Sequence, residues 1–266
     1  MKQFETLTVE TTPEGICVVT MNRPDKFNAM NLKMRHEFGD LFLDIADDVN
    51  IKVVVLTGAG KAFSGGGDIN DFQNSQEDLH TLMGRISHRW FKAFWDLPQP
   101  VIGAINGVAG GGGCDLALAC DLIYASEKAS FVHTFLEIGL VPDLGGGFLL
   151  PRLIGPARAK EMALLGERVR ADKAMRMGLV CDVFPHEKLM EEVMQRARHL
   201  AARSASAITQ TKRMMNRSFE SSMEAVLDQE LAVQSFLFGT KASQAGVHRF
   251  LHARDKSAEP ANQAKE

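Results

Sequence analysis

Two short runs of apolar, mostly β-branched residues, 52–57 (KVVVLT) and 100–105 (PVIGAI), are each followed by consecutive glycines, Gly65–Gly67 and Gly110–Gly113. A strand with apolar residues on both sides has to be covered on both faces, the condition of a mainly parallel sheet dressed with helices. Glycines after such a strand leave backbone N–H groups uncovered and let a ligand approach closely. Where a helix then begins, its free N–H groups and dipole suit an anion or a developing oxyanion. Tight strand-to-helix turns without a ligand are the plainer reading of either block alone. A third block, Gly145–Gly147, lies further on. None of the three fits GxGxxG or GxxxxGK[ST], so nucleotide-binding loops are not indicated.

The surrounding pattern agrees with an α/β fold. Residues 16–22 (ICVVTMN) follow a turn at Thr12–Gly15 and read as a strand paired with 5–10. Leu32, Phe38, Leu41, Phe42 and Ile45 recur at helical spacing over 31–46, as do Leu79, Leu82, Ile86, Trp90, Ala93 and Phe94. Further strands are expected at 121–125 and 179–184. After residue 185 only helices are expected, at about 189–200, 205–216, 222–238 and 242–254. This divides the chain into a core over 1–200, a helical oligomerisation region over 201–258 and a frayed tail over 259–266.

Composition excludes several classes. Thirty Lys and Arg against 33 Asp and Glu give a net charge of −3, with no basic arm, which argues against nucleic-acid binding. No stretch is long and apolar enough to span a membrane, and the start has no secretory h-region. Cys17, Cys114, Cys120 and Cys181 show no CxxC spacing and lie in apolar segments, so they read as buried thiols in a reducing, cytoplasmic compartment. His248 and His252 stand four residues apart without a companion ligand, and no metal site is expected.

The motifs as a set resemble the crotonase (enoyl-CoA hydratase/isomerase) superfamily. The residues that carry the likeness are Asn22-Arg23-Pro24 with Asn28-Ala29, and Ala62-Phe63-Ser64-Gly65-Gly66-Gly67-Asp68-Ile69. They continue with Pro100-Val101-Ile102, Asn106-Gly107-Val108-Ala109, Gly111-Gly112-Gly113-Cys114-Asp115-Leu116-Ala117, Cys120-Asp121 and Ile138-Gly139-Leu140-Val141-Pro142. The likeness spans roughly residues 5–255. It implies a crotonase-like spiral of ββα units, a C-terminal helical trimerisation region, and a homo-trimer or dimer of trimers. It further implies an acyl-CoA substrate, no cofactor beyond the CoA moiety, and a thioester oxygen held by the N–H groups of Gly67 and Gly112. Lys26, Phe27, Ser64, Gly65, Asp68 and Ile69 would line the CoA; Lys26 as a solvated loop lysine and Asp68 as a helix cap are equally open.

The acid–base positions set the expected reaction. Hydratases of the superfamily carry two glutamates; here the first position is Asp115 and the second falls on Phe135. Glu137, two residues on, would face elsewhere on a helix. Asp143 stands where isomerase branches, including the dienoyl-CoA isomerases and those of phenylacetate catabolism, place an aspartate. The resemblance therefore favours double-bond isomerisation with Asp143 as base and Phe135 as an apolar wall that raises its pKa. Asp143 as the N-cap of a helix starting near Leu144 is the competing role. Asp115 is either a second proton relay or a structural carboxylate. The alternatives are an enoyl-CoA hydratase using Asp115, a chlorobenzoyl-CoA dehalogenase-like enzyme using His88, and a non-catalytic RNA-binding or scaffold protein of the same fold.

Overall fold

The computed structural model describes residues 3–74 and 79–258, so the tail expected at 259–266 lies outside the described residues. The chain divides into two units, Met1–Ala202 and the residues from Arg203 onward. The expected break at 200/201 falls inside the last turn of a helix, and the real one follows it.

The first unit opens with a hairpin. β1 (Leu7–Thr11) and β2 (Ile16–Met21) pair antiparallel from Leu7↔Met21 to Thr11↔Cys17, closed by Gly15 at φ +86°. Asn31 caps α1 (Leu32–Asp47) by accepting the Met34 N–H at 2.9 Å, which starts the helix one residue after the apolar stripe suggests. α1 carries the chain over to β3 (Val53–Gly58), parallel to β2.

From here the chain repeats one pattern: a strand in a first sheet, a short strand in a second sheet, then a helix or turn. β3 is followed by β4 (Ala62–Ser64) and α2 (Ile69–Asn74). After α3 (Leu79–Thr81), a π-helical turn (Leu82–Ser87) and α4 (His88–Trp95), β5 (Val101–Ile105) leads to β6 (Val108–Gly110) and α5 (Gly112–Leu118). β7 (Leu122–Ser126) leads to β8 (Ser130–Val132) and a 3-10 turn over Phe135–Ile138. α6 (Gly146–Ile154), α7 (Pro156–Leu165), β9 (Val169–Arg170), α8 (Ala171–Met177), β10 (Asp182–Phe184) and α9 (Leu189–Ala201) complete the unit. The first sheet runs β1-β2-β3-β5-β7-β10 and the second β4-β6-β8-β9. This is the expected ββα spiral.

Burial explains the strand sequences. Val54 and Leu56 of β3 face a core that includes Phe38, Phe42, Trp90 and Phe94, whereas Val53 and Val55 face Leu189, Val193 and Ala197 of α9. Both faces are covered, so no position of β3 is polar and exposed. The α1–α4 contact is aromatic, with Phe38 centred 5.0 Å from Trp90 and Phe42 4.9 Å from Phe94.

Several expectations shift. The strand expected at 179–184 is reduced to β10, because Gly178 adopts a left-handed φ of +81° at the end of α8 and the chain turns before pairing. The helix read across 79–95 is broken by the π-helical turn, a local widening that apolar spacing does not register. Cys181 is exposed, unlike Cys17, Cys114 and Cys120.

The second unit holds α10 (Ala205–Arg217), α11 (Met223–Phe238) and α12 (Lys241–Ala258), with Ser204 and Ser222 capping the first two. Met215, Phe219, Leu231, Phe236 and Phe238 are exposed on it. No helix among the described residues is long and apolar enough to cross a membrane.

Phe42→Ala removes a fully buried ring from the centre of the aromatic layer. The expected loss is about 3–5 kcal/mol of unfolding free energy, read from a denaturant midpoint at unchanged slope.

Candidate active site

The two glycine blocks meet. A methyl group on Gly66 (φ +100°) would stand 2.7 Å from the Gly110 carbonyl oxygen and 3.2 Å from the Gly112 nitrogen; one on Gly113 would stand 2.4 Å from the Ser64 oxygen. Only glycines allow this approach of β4 and its loop to α5. Met30 bridges to the loop, donating to the Gly66 oxygen at 2.7 Å and accepting from the Asp68 N–H at 3.2 Å. Those two bonds go to the neighbours of Gly67, so the N–H of Gly67 itself points to the other side, away from Met30. Gly112 is the first residue of α5, where an N–H has no acceptor within the helix.

Both glycines line a cleft of about 80 Å³ with Met30, Met83, Phe135, Ile138, Leu140 and Leu144. Its ionisable lining residues are Arg35 and Asp143. A methyl group on Gly112 would lie 3.7 Å from Asp143 Oδ1, so this carboxylate sits directly beside the second glycine turn. Burial, and then the negative charge of Asp115, push the Asp143 pKa up to about 6, against the opposing pull of Arg35 and His88. Asp143 is not a helix cap: α6 begins at Gly146 and Gly145 holds the N-cap position. Phe135 is buried and lines the cleft, whereas Glu137 on the same 3-10 turn is exposed. His88 Nε2 donates to the backbone oxygen of Asp143, 3.0 Å away, and so holds the turn rather than facing the cleft lining.

Asp115 does not line the cleft. It is fully buried, accepts the Leu144 N–H at 3.2 Å through Oδ2, and has His133 Nε2 3.0 Å from Oδ1. Its contacts are therefore with the fold and not with the cleft.

The expected CoA-lining residues separate into groups. Gly65 and Ile69 line the cleft, and Lys26 and Phe27 are exposed beside it, with the Phe27 oxygen accepting the Gly65 N–H at 2.8 Å. Phe27 and Asn28 hold left-handed φ values of +49° and +54°, strain that the buried Asn28 side chain offsets by bonding Arg23, Ala59 and Ala62. Ser64 and Asp68 direct their side-chain hydrogen bonds into the loop itself. Ser64 is buried and donates to the Asn28 oxygen at 2.9 Å. Asp68 pairs with Arg23 at 3.0 Å and accepts the Asn70 N–H, capping α2; those bonds hold its pKa below the ordinary carboxylate value although burial opposes them. Both side chains build the loop.

Sequence reasoning missed Arg35, which is buried on α1, donates to the Met30 oxygen at 3.1 Å and to Ser87 Oγ at 2.7 Å, and reaches the cleft. The available signal was a cation inside the apolar stripe, three residues from both Leu32 and Phe38. His133 was also missed, having no spacing relation to Asp115. Among the described residues no group of three potential ligands could hold a metal ion.

The family model described as enoyl-CoA hydratase/isomerase matches residues 11–259. A probable enoyl-CoA hydratase of Rhodobacter capsulatus is 36% identical over 91% of this chain and 93% of its own. The 1,2-epoxyphenylacetyl-CoA isomerase of Escherichia coli is 35% identical over 91% and 94%. Among solved structures, an enoyl-CoA hydratase from Bacillus anthracis superposes with a TM-score of 0.89 at 32% identity, covering 94% of this chain and 97% of that one.

The raised carboxyl has a measurable cost. Its folded pKa of about 6 lies above the 3.8 of an unperturbed aspartate, so the folded state binds more protons in that window and stability falls as pH rises through it. Asp143→Asn is therefore expected to stabilise the protein by on the order of 2 kcal/mol above pH ~6, with the gain gone below pH ~4. Thermal unfolding of both proteins across pH 3.5–8 reads this; a gain that persists at low pH would contradict the assignment.

Proposed function

We propose, from the premise that this chain belongs to the enoyl-CoA hydratase/isomerase family and acts on CoA thioesters, that it moves a double bond from the 3- to the 2-position of an enoyl thioester. The observation that carries the reading is the Asp143 carboxyl, beside Gly112 in an apolar cleft and titrating near neutrality, at about 6. In this reading the thioester oxygen sits between the N–H groups of Gly67 and Gly112. Asp143 takes a proton from C2, the electron pair moves into a dienolate whose charge rests on that oxygen, and the same proton returns at C4. Losing one oxyanion donor of this kind typically costs about 3–4 kcal/mol of barrier. No electron is gained or lost, so the proposal includes no cofactor beyond the CoA part of the substrate.

Phe135 supports the choice. Hydration shares its proton transfers between two carboxylates in the resembling hydratases, and here the second is replaced by a ring that excludes water. The relative named as an isomerase agrees with the reaction class, its named substrate being an epoxyphenylacetyl-CoA. Hydration through Asp115 is the second reading, favoured by the hydratase names of other relatives; the burial of Asp115 outside the cleft lining weighs against it. The buried thiols fit a cytoplasmic enzyme. The exposed apolar side chains of the second unit fit a homo-trimer or dimer of trimers.

Turnover of 3-enoyl-CoA and 2-enoyl-CoA in parallel tests the reaction. Isomerisation is expected to dominate and to fall about 10²–10⁴-fold in Asp143→Ala. Hydration that survives the substitution would move the chemistry to Asp115 and sink the proposal. Because the base works unprotonated, kcat/KM should rise with pH and level off above about 6. Sedimentation equilibrium should return a mass of three or six chains.

A further inference from the structure

The proposed reaction leaves one pair of ionisable side chains unused. Asp115 is 0% exposed and His133 1%, and they stand 3.0 Å apart, Oδ1 to Nε2. α5 supplies the aspartate and the segment leaving β8 supplies the histidine. The ring is off the line that a hydrogen bond needs: Asp115 Oδ1 and both His133 nitrogens have no aligned partner among the described residues. The other carboxylate oxygen accepts the Leu144 N–H at 3.2 Å. A methyl group on Gly146 would fall 2.1 Å from Asp115 Oδ1, so only glycine lets the backbone of that turn lie against the carboxylate. Asp115 is thus wedged between a buried imidazole and the backbone that directly follows Asp143.

Resting on the reading of Asp143 as base, we propose that Asp115 and His133 form a buried charge pair that positions the Asp143 turn and presents a fixed charge behind it, and that neither delivers a proton to substrate. A lone buried carboxylate is strongly disfavoured, and under this proposal the counter-charge comes from the His133 ring, whose Nε2 stands 3.0 Å from Asp115 Oδ1. Proton delivery requires reach to a reacting carbon, and neither residue lines the cleft. Asp143 is faced by Asp115 from α5, Arg35 from α1 and His88 from α4, with Asp115 opposing its ionisation and the two cations favouring it. Asp115 is faced by His133, and its charge also pushes the adjacent Cys114 thiol up, after burial.

The test is the pH profile of kcat/KM on a 3-enoyl-CoA for wild type, Asp115→Asn, His133→Gln and Asp143→Asn, each with its thermal midpoint. Asp115→Asn keeps the shape and the acceptor for Leu144 but removes the charge. It should retain kcat within tenfold and shift the acidic limb to lower pH than the wild-type limb near 6. His133→Gln leaves the buried Asp115 without its counter-charge, so that carboxyl takes a proton, the limb should move to lower pH as in Asp115→Asn, and the midpoint should fall. A kcat loss above tenfold in Asp115→Asn with the limb unmoved means that Asp115 transfers the proton itself and overturns this inference alone. A His133→Gln protein with unchanged limb and midpoint also overturns it, and this variant decides the matter if Asp115→Asn does not fold. Turnover retained by Asp143→Asn overturns the base assignment and this inference together.

Discussion

The contact between the two glycine blocks is the constraint on which the rest of the structure depends. With Gly66 against the Gly110 carbonyl and Gly113 against Ser64, the loop after β4 and the start of α5 approach more closely than any side chain would permit. Each block comes from a different turn of the spiral, delivered by strands of the second sheet that pair β4 to β6 and β6 to β8. The first sheet and its two cores hold those deliveries in register. A substitution at the contact would displace a whole turn of the fold, which is why the backbone frame of the cleft is so tightly tied to the sheet.

Around this frame the electrostatics are asymmetric. The carboxylate beside Gly112 is desolvated by Met30, Phe135 and Leu144, and a second carboxylate stands behind it. Those two influences raise its pKa; Arg35 and His88 limit the rise. In the proposed reaction, a base poised near neutrality is the compromise that suits both removal and return of a proton. Arg35 also ties α1 to Ser87 at the end of the π-helical turn, and the next residue, His88, bonds the Asp143 backbone. One chain of contacts therefore links the first helix, the irregular helix and the reactive turn.

The extent to which this was legible in the sequence follows the physics of each feature. Runs such as 52–57 announce a doubly covered strand because burial on both faces leaves no room for polar residues, and β3 is that strand. The glycine blocks announce a close approach without saying to what. The second sheet was legible only through the resemblance and not in the residue pattern: its strands are two or three residues long, too short for any alternation to develop. Asp143 and Asp115 could be named as candidates, yet their different roles come from burial and from His133, a partner with no sequence relation to either. Ser64 and Asp68 looked like ligand contacts because they lie in the motif, whereas their hydrogen bonds are spent on Asn28, Arg23 and Asn70. Arg35 was hidden because a cation within an apolar stripe reads as an exception on the surface edge of the helix.

The division between backbone and side-chain chemistry explains how such a frame can serve different reactions. Gly67 and Gly112 would stabilise an enolate through main-chain N–H groups, and the glycine contact that sets them cannot change without loss of the fold. The groups that decide the fate of the proton are side chains on less constrained turns. Phe135 sits on a 3-10 turn and Asp143 on an irregular segment before α6. Exchanging one of them alters where water is admitted and which carbon a carboxylate reaches, while the stabilised intermediate stays the same. In this chain one carboxylate, Asp143, lines the cleft and the other, Asp115, lies buried beside an imidazole. That arrangement suits a reaction whose product has the same atoms as its substrate, since a single base can then give back the proton it takes.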